Sequence, residues 1–181
     1  MTRARRLLVC LVGVVVILAG ARGDSALEYP ARRIFACASG KYGFNVAATV
    51  QRGVIKEIKG RLFTYDDKGN ERTLWEHALP FLPKNVLVSN DGVVVSIDEW
   101  YRSGYAHSLV VIDAAGGVVA DHALEAILTP GEIRDRVFHT VSNRVWASGA
   151  KYDFEKTRLV ITLSWGERVL VDLATGEITR D

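Results

Sequence analysis

The chain has 181 residues, with 23 basic and 21 acidic side chains, a net charge of +2 and a hydrophobic share of 49%. This length and composition predict a folded protein with a substantial core rather than a disordered chain. Residues 1–23 hold four of the basic residues and no acidic one, so the remainder carries 19 basic against 21 acidic residues. A chain this close to neutral offers no electrostatic basis for binding nucleic acid, and we predict no such partner.

Residues 1–23 have the layout of a signal peptide: an arginine-rich head, an uncharged apolar run and then small residues. Cleavage is expected after Ala21 or Gly23. The uncharged run has 15 residues, fewer than the about 17–25 that a membrane-spanning helix needs. We therefore expect a secreted or periplasmic protein, which meets the membrane only if the segment is retained. The alternative is a protein anchored in the membrane by residues 7–21.

Cleavage would leave Cys37 as the single cysteine of the mature chain, so no disulfide within the chain is predicted. Its apolar surroundings, "IFACAS", favour burial over pairing between chains. No metal site is predicted, because the histidines are isolated and no Cys/His zinc spacing occurs. The loop "DDKGNE" at residues 66–71 lacks the ligand order of a calcium loop. No cofactor motif occurs either, so we predict none.

Residues 24–181 are predicted to form a single domain of short β-strands, because runs rich in Val, Ile, Phe and Tyr alternate with Gly, Asn and Asp turns. The predicted strands are residues 34–38, 44–50, 62–65, 86–88, 93–97, 109–112, 118–122, 144–147, 159–163, 169–173 and 177–179.

Helix signals are few. Thr129 is predicted to cap a short helix at residues 130–136, with Pro130 in its first position and Glu132 completing a capping box. The stretches "LWEHAL" (residues 74–79) and "ALEAIL" (residues 123–128) are predicted to add single helical turns.

One hairpin pattern occurs three times, as "FTYDDKGNERTL", "VVIDAAGGVVADHAL" and "VLVDLATGEITRD". Its aspartates, Asp66, Asp113 and Asp172, are 47 and 59 residues apart. Each carboxylate is predicted to hold its own turn, with the following glycine supplying a positive φ. Repeats of roughly 40–50 residues with about four strands each are typical of propeller blades.

The segments "SNDGVVVSID", "LVVIDAAGGVV" and "VLVDLATGEI" resemble blades of WD-repeat and quinoprotein-type β-propellers. The order of motifs also resembles a group of uncharacterised exported bacterial proteins, over roughly residues 34–181. The Trp-Asp dipeptide of WD repeats is missing, so the resemblance implies architecture alone.

The expected fold is mainly β, with about three propeller-like, four-stranded antiparallel units and one short helix. Because propellers close with about 4–8 blades, three units leave alternatives. They could form an open partial propeller, merge into a β-sandwich or barrel, or close a ring with a second chain as a homo-oligomer.

A long insert separates the two strands of the middle repeat and carries the candidate binding residues. These are Asp98, Glu99, Trp100, Tyr101, Arg102, Tyr105 and His107. The aromatic side chains offer a platform for a sugar ring or a peptide, the arginine can bind a carboxylate, and the histidine can exchange a proton near neutral pH. The third repeat shortens this region to "WGE", so the insert is the most distinctive surface in the sequence.

Three interpretations of the insert remain open. In the first, it is structural: Trp100 and Tyr105 pack over the sheet edge and Arg102 pairs with Asp98 or Glu99. In the second, it binds a protein, peptide or glycan.

In the third, the chain is a hydrolase or lyase that uses Asp98, Glu99, Arg102 and His107. No known catalytic motif supports that interpretation, and adjacent carboxylates in a strand point to opposite faces. We favour an exported, non-enzymatic binding module. Trp75, Trp146 and Trp165 are predicted to be core, and His77, His122 and His139 to be polar surface or hydrogen-bonded edge residues.

Overall fold

The computed structural model of the protein describes residues 30–155 and 157–181, and for residues 148–153 the backbone alone. The predicted signal peptide lies outside the described residues. Within them, no helix has the length and apolar character required to cross a membrane.

Three sheets of four antiparallel strands follow one another along the chain, and in each the strands are ordered as in the sequence. The first sheet contains β1 (Arg32–Ala36), β2 (Tyr42–Gln51), β3 (Val54–Tyr65) and β4 (Glu71–Ala78). The central sheet contains β5 (Pro83–Val88), β6 (Val94–Glu99), β7 (Leu109–Ile112) and β8 (Val118–His122). The third sheet contains β11 (Ala147–Glu155), β12 (Arg158–Leu163), β13 (Arg168–Asp172) and β14 (Ile178–Arg180).

Two short helices and a small hairpin connect the central sheet to the third. They are α1 (Leu124–Ile127), α2 (Pro130–Asp135), β9 (Phe138–His139) and β10 (Arg144–Val145). The predicted capping box of α2 is confirmed, since Thr129 and Glu132 exchange side-chain and backbone hydrogen bonds. "ALEAIL" forms a helical turn, as expected, so the described structure has two short helices.

The helical turn predicted for "LWEHAL" is wrong, because this stretch belongs to β4. Strand β3 is longer than expected and begins at Val54, so it offers backbone partners along the whole of β4. Pairing with that strand decides the conformation of a short segment whose own preference is weak.

The central sheet is buried on both faces, which explains its unbroken apolar runs. Val94 and Val110 pack into a core shared with the first sheet, whereas Val95 and Val111 pack into a core shared with the third sheet. Successive residues of a strand point to opposite faces, so "VVVSI" supplies both cores in turn.

The buried tryptophans are core residues, as predicted. Trp75 lies in the core between the first and central sheets, and Trp146 in the core between the central and third, where Trp165 packs against it partly buried. The predicted burial of Cys37 is also confirmed.

The three repeated aspartates hold their turns. Oδ1 of Asp66 accepts backbone N–H bonds at 2.8 and 2.9 Å, Oδ1 of Asp113 accepts two at 2.8 Å, and Oδ1 of Asp172 accepts two at 2.9 and 3.0 Å. Their predicted structural role is therefore confirmed. Hydrogen bonds from the Asn70 side chain and backbone lower the pKa of Asp66, which fits a carboxylate held in its ionised form.

The sheets meet through a repeated contact at these turns. Gly116 of the central sheet approaches His77 of the first so closely that an added Cβ would lie 2.6 Å from the ring nitrogen. Gly176 of the third sheet approaches Ala120 of the central one in the same way, and its carbonyl oxygen lies 2.9 Å from Nε2 of His122. Both glycines have the positive φ that the turn requires.

These contacts place the sheets in series: first, central, third. Each apolar core lies between two neighbours, and the described sheets form no closed barrel. The mainly β architecture of propeller-like units is confirmed in its open form, and the closed-barrel alternative is not adopted.

Candidate functional site

The insert of the middle repeat lies between β6 and β7 and contacts the first sheet, its own sheet and the residue that precedes the third sheet. Its first anchor is Asp98, which is buried and adopts a left-handed backbone conformation with φ 63°. Oδ1 of Asp98 accepts hydrogen bonds from Nε1 of Trp146 at 3.0 Å and from the backbone N–H of Gly104 at 2.7 Å. One carboxylate oxygen thus joins the central sheet, the insert and the residue that precedes the third sheet.

Burial raises the pKa of Asp98, and the hydrogen bonds from Trp146 and Gly104 oppose that shift. A positive φ is uncommon outside glycine, although Asp and Asn tolerate it better than most residues. The regular alternation expected for Asp98 and Glu99 is therefore broken, and Asp98 is turned into the protein interior.

Glu99 and Trp100 complete the attachment of the insert to the strand before it. Glu99 lies opposite Pro83 of β5, and the backbone N–H of Trp100 donates to the carbonyl of Leu82 at 2.8 Å. The Trp100 ring is half-buried against the core between the first and central sheets, and the Arg33 guanidinium lies 5.4 Å from its centre. The expectation that Trp100 packs on the sheet is correct.

The ion pair expected for Arg102 is not formed. Its guanidinium instead lies over the ring of Tyr105, 5.1 Å from the centroid, and Arg144 approaches the same ring at 4.3 Å. Asp98 is withdrawn into the interior by Trp146 and Gly104, which leaves the aromatic face as the partner of Arg102. Tyr101, next to it, is 51% exposed.

His107 closes the insert on its other side. Its ring stacks on Phe81 with centroids 4.5 Å apart, and Nδ1 lies 2.9 Å from a carboxylate oxygen of Asp121. Asp121 belongs to β8, so this contact ties the end of the insert to the outer strand of its own sheet. The histidine is partly buried and is held by groups other than the acidic residues at the start of the insert.

The candidate residues therefore divide into two groups. Asp98, Glu99, Trp100 and His107 are engaged in holding the insert, each through a different set of partners. Tyr101 and Arg102 are exposed, whereas Tyr105 is half-buried beneath Arg102 and Arg144 and its carbonyl accepts the backbone N–H of Leu124. No contact in the described part of the chain brings the four proposed catalytic side chains together as an acid–base constellation.

The hairpin formed by β9 and β10 lies directly beside the insert. Ser103 donates its backbone N–H to Oδ1 of Asn143 at 3.2 Å, and its carbonyl accepts from the N–H of Arg144 at 2.9 Å. On this hairpin Phe138 is 68% exposed and Val141 is completely exposed. We use the term insert–hairpin surface for the exposed side chains of these two segments, which are Tyr101 and Arg102 of the insert and Phe138, Val141 and Val145 of the hairpin.

The hairpin's contribution was missed at the level of sequence. Each of its strands has two residues, and "FHTVSNRVW" shows no sustained alternation that could mark one face as exposed. The available signal was local: Thr140 and Asn143 are turn-forming residues between two apolar pairs.

Metal binding finds no support among the described residues, where no three His, Cys, Asp or Glu side chains cluster as ligands. In "DDKGNE" the oxygens of Asp66 are occupied by the turn itself, with Oδ2 accepting from the Asn70 side chain at 3.0 Å.

Comparisons with known proteins add little. No protein-family model matches the chain, and no curated protein matches it. Among solved structures, a match to "Crystal structure of HIRA(644-1017)" has 13% sequence identity and a TM-score of 0.45. The match covers 84% of this chain and 53% of that one, so the chain spans about half the length of that structure.

Proposed function

We propose that the chain is a non-enzymatic binding module that holds a protein segment on the insert–hairpin surface. Export remains a prediction from residues 1–23, and with it the proposal that the module acts in the periplasm or outside the cell. The proposed partner is a protein, one of the three classes (protein, peptide and glycan) that the sequence alone leaves open.

The observation that carries the proposal is the exposure of large apolar side chains on a firmly held hairpin. Phe138 and Val141 are exposed to solvent, although the hairpin that carries them is held by two hydrogen bonds with the Ser103 backbone, one to the Asn143 side chain and one from the Arg144 N–H. Contiguous exposed apolar groups mark interaction sites, and aromatic and arginine side chains such as Tyr101 and Arg102 are enriched among residues that dominate binding energy.

The catalytic alternative lacks the geometry it needs. A general acid and base must reach the same substrate bond, yet the Asp98 carboxylate is buried against Trp146 while His107 contacts Asp121. The burial of Asp98 is explained by its hydrogen bonds alone, without an acid–base role.

The proposal is tested by screening the purified chain against a displayed library of random peptides. Binding by enriched peptides is expected to fall by about tenfold or more in Phe138→Ser, because an anchoring aromatic contributes about 2 kcal/mol or more to an interface. Ile34→Ser is the matched control, since Ile34 is 59% exposed and belongs to the first sheet rather than to the insert or the hairpin. Trp100→Ala is a poor probe because that ring is part of a core.

Circular dichroism and thermal unfolding must first show that Phe138→Ser is folded, as its exposure predicts. Equal binding by the wild type and Phe138→Ser would exclude the hairpin as the binding surface. A loss of binding in Ile34→Ser but not in Phe138→Ser would move the site to the first sheet.

A further inference from the structure

We propose that the cavity between the first and central sheets is a binding site for a small aliphatic amine. The inference goes beyond the proposed function, since no side chain of the insert–hairpin surface lines this cavity. The required chemistry is a short branched hydrocarbon group next to a primary ammonium. A free amine and the N-terminal residue of a peptide both provide it.

The walls of the cavity are apolar and come from both sheets. β4 supplies Trp75, the connection from β4 to β5 supplies Phe81, and β7 supplies Val110 and Ile112. All four are buried in the core that the two sheets share. The cavity measures about 80 Å³, and one water molecule takes about 30 Å³ in the liquid. It therefore has room for a branched group of about three or four carbon atoms.

Asp121 lies at the rim of this cavity and points toward the first sheet. It is directly opposite Val110 in the pairing of β7 with β8, and Val118 is likewise opposite Ile112. Residues directly opposite each other on neighbouring strands project to the same face, and Val110 faces the first sheet. Asp121 and Val118 are both exposed, so they form the rim of the cavity while the buried side chains form its interior.

The Asp121 carboxylate is held in position and keeps acceptor capacity for a ligand. Its Oδ2 lies 2.9 Å from Nδ1 of His107, whose ring stacks on Phe81 in the cavity wall. An ionised carboxylate only accepts hydrogen bonds, so Nδ1 is the donor, and the two oxygens can accept further bonds. The other titratable side chain that lines the cavity is His77, which stacks on Trp75 with centroids 5.3 Å apart.

The charge at the rim selects an ammonium over other polar groups. Among the described residues that line the cavity, Asp121 is the one carboxylate, and no lysine or arginine is present to neutralise it. A hydrogen bond from an ammonium to a carboxylate is stronger than one from a neutral hydroxyl. A ligand carboxylate would be repelled at this position.

The positions of the apolar walls and of the carboxylate decide which end of the ligand enters. The hydrocarbon group would occupy the buried interior, and the ammonium would stay at the exposed rim beside Asp121. This orientation avoids the high cost of removing an ammonium from water. A lysine side chain does not suit the site, because its ammonium would have to enter ahead of its hydrocarbon chain.

The experiment titrates the ¹⁵N-labelled full chain at pH 7 with three ligands of similar shape, followed by nuclear magnetic resonance. Isobutylamine carries an ammonium, isobutanol a hydroxyl and isobutyrate a carboxylate. Isobutylamine is expected to bind with a Kd in the millimolar range, as suits so small a ligand, and about fivefold or more tightly than isobutanol. Isobutyrate should not bind. The resonances that shift should centre on the Trp75 indole and the backbone of Val110 and Val118.

Three variants test the role of the rim. Asp121→Asn removes the charge but keeps an acceptor for His107, so isobutylamine should bind it no more tightly than isobutanol. Asp67→Asn is the matched control and should preserve the preference, since Asp67 is exposed in a turn of the first sheet and does not line the cavity. Val118→Lys places a competing ammonium at the rim and should weaken isobutylamine binding; Val118 is 65% exposed, so this variant should fold even if Asp121→Asn does not.

Equal binding of isobutylamine and isobutanol to the wild type would overturn the inference, because the carboxylate would then select nothing. Binding of isobutyrate, resonance shifts centred outside the cavity, or a preference for the amine that persists in Asp121→Asn would overturn it as well.

The tripeptide Leu-Gly-Gly, tested beside its N-acetylated form, identifies the source of the amine. Tighter binding than isobutylamine, lost on acetylation, would assign the site to the N-terminal residue of a peptide. Weaker binding than isobutylamine would assign it to a free amine.

Discussion

Asp98 shows how one buried side chain can hold together parts of the chain that are far apart in sequence. Its Oδ1 accepts hydrogen bonds from Trp146, 48 residues away, and from Gly104 inside the insert. A buried polar group is tolerated when its partners are in place and is costly when they are not. At the residue scale, the carboxylate that most resembles a catalytic group in the sequence therefore has a structural role.

Replacing Asp98 distinguishes this structural role from an acid–base role. Asp98→Ala leaves the Trp146 and Gly104 N–H groups without an acceptor and should lower the free energy of unfolding by about 2–4 kcal/mol. Asp98→Asn keeps an acceptor oxygen and tolerates the positive φ, so at pH 7 it should match or exceed the wild type in stability. Urea unfolding of both variants at pH 7 measures the difference.

The wild type and Asp98→Asn should also differ in how their stability depends on pH, and the direction of the pKa shift of Asp98 fixes the sign of that difference. Because burial raises the pKa of Asp98 in the folded state, its contribution to stability is present below the unfolded pKa and is lost as pH rises through the folded value. Asn does not titrate, so the stability of Asp98→Asn relative to wild type should rise from pH 3 to pH 7. A relative stability that falls over this range would contradict the assignment.

At the scale of elements, the insert and the hairpin form one rigid piece because two backbones approach closely at Gly104. This residue has φ 76°, and an added Cβ would lie 2.6 Å from both Cβ and the carbonyl oxygen of Arg144. Neither the conformation nor the space admits a side chain, so the contact depends on glycine.

Gly104→Ala should consequently destabilise the protein more than an ordinary glycine substitution at positive φ. Gly40 is the matched control, with φ 72° and no atom within 4 Å of an added Cβ. Gly40→Ala is expected to cost about 1 kcal/mol for its backbone conformation, and Gly104→Ala about 1–3 kcal/mol more for displacing Arg144. Equal losses in urea unfolding would mean that the hairpin moves away without cost.

Some elements of the fold could be predicted from the sequence and others could not. The central sheet was predictable because "LVVI" is apolar at every position and "VVVSI" at every position but Ser96, as strands buried on both faces require. The insert was recognisable because its aromatic and charged residues interrupt that pattern.

The partners of the insert were not predictable, since Trp146, Arg144 and Asp121 reach it from other elements through the tertiary fold. Adjacency in sequence suggested an ion pair for Arg102, whereas burial had already removed Asp98 from the surface.

At the scale of the whole molecule, the three sheets form a series with two different kinds of face. The inner faces are apolar and shared, and the turn glycines Gly116 and Gly176 each contact the preceding sheet. Gly69 occupies the same position in the first sheet, but an added Cβ there would meet no atom within 4 Å. The series therefore has two ends, and the character of the end faces decides whether a second chain is needed to cover them.

Both end faces carry charged side chains. On the first sheet, Arg61 lies over Phe63 at 5.1 Å and pairs with Glu71, and so helps to cover the one large aromatic ring buried on that face. On the third sheet, Arg168 binds Glu155 at 2.7 Å and Asp181 at 3.0 Å. Terminal units with polar outer faces keep repeat proteins soluble without a further neighbour.

We therefore expect the chain to be a monomer rather than half of a ring closed by two chains. Size-exclusion chromatography with light scattering should give the mass of a single chain, at most 19.9 kDa, up to concentrations of about 100 μM. Ile34 is the most exposed large apolar residue on the outer face of the first sheet, so Ile34→Asp should leave this mass unchanged. A doubled mass that returns to that of one chain in Ile34→Asp would instead identify the outer face of the first sheet as an interface, and ring closure would become the better description of the molecule.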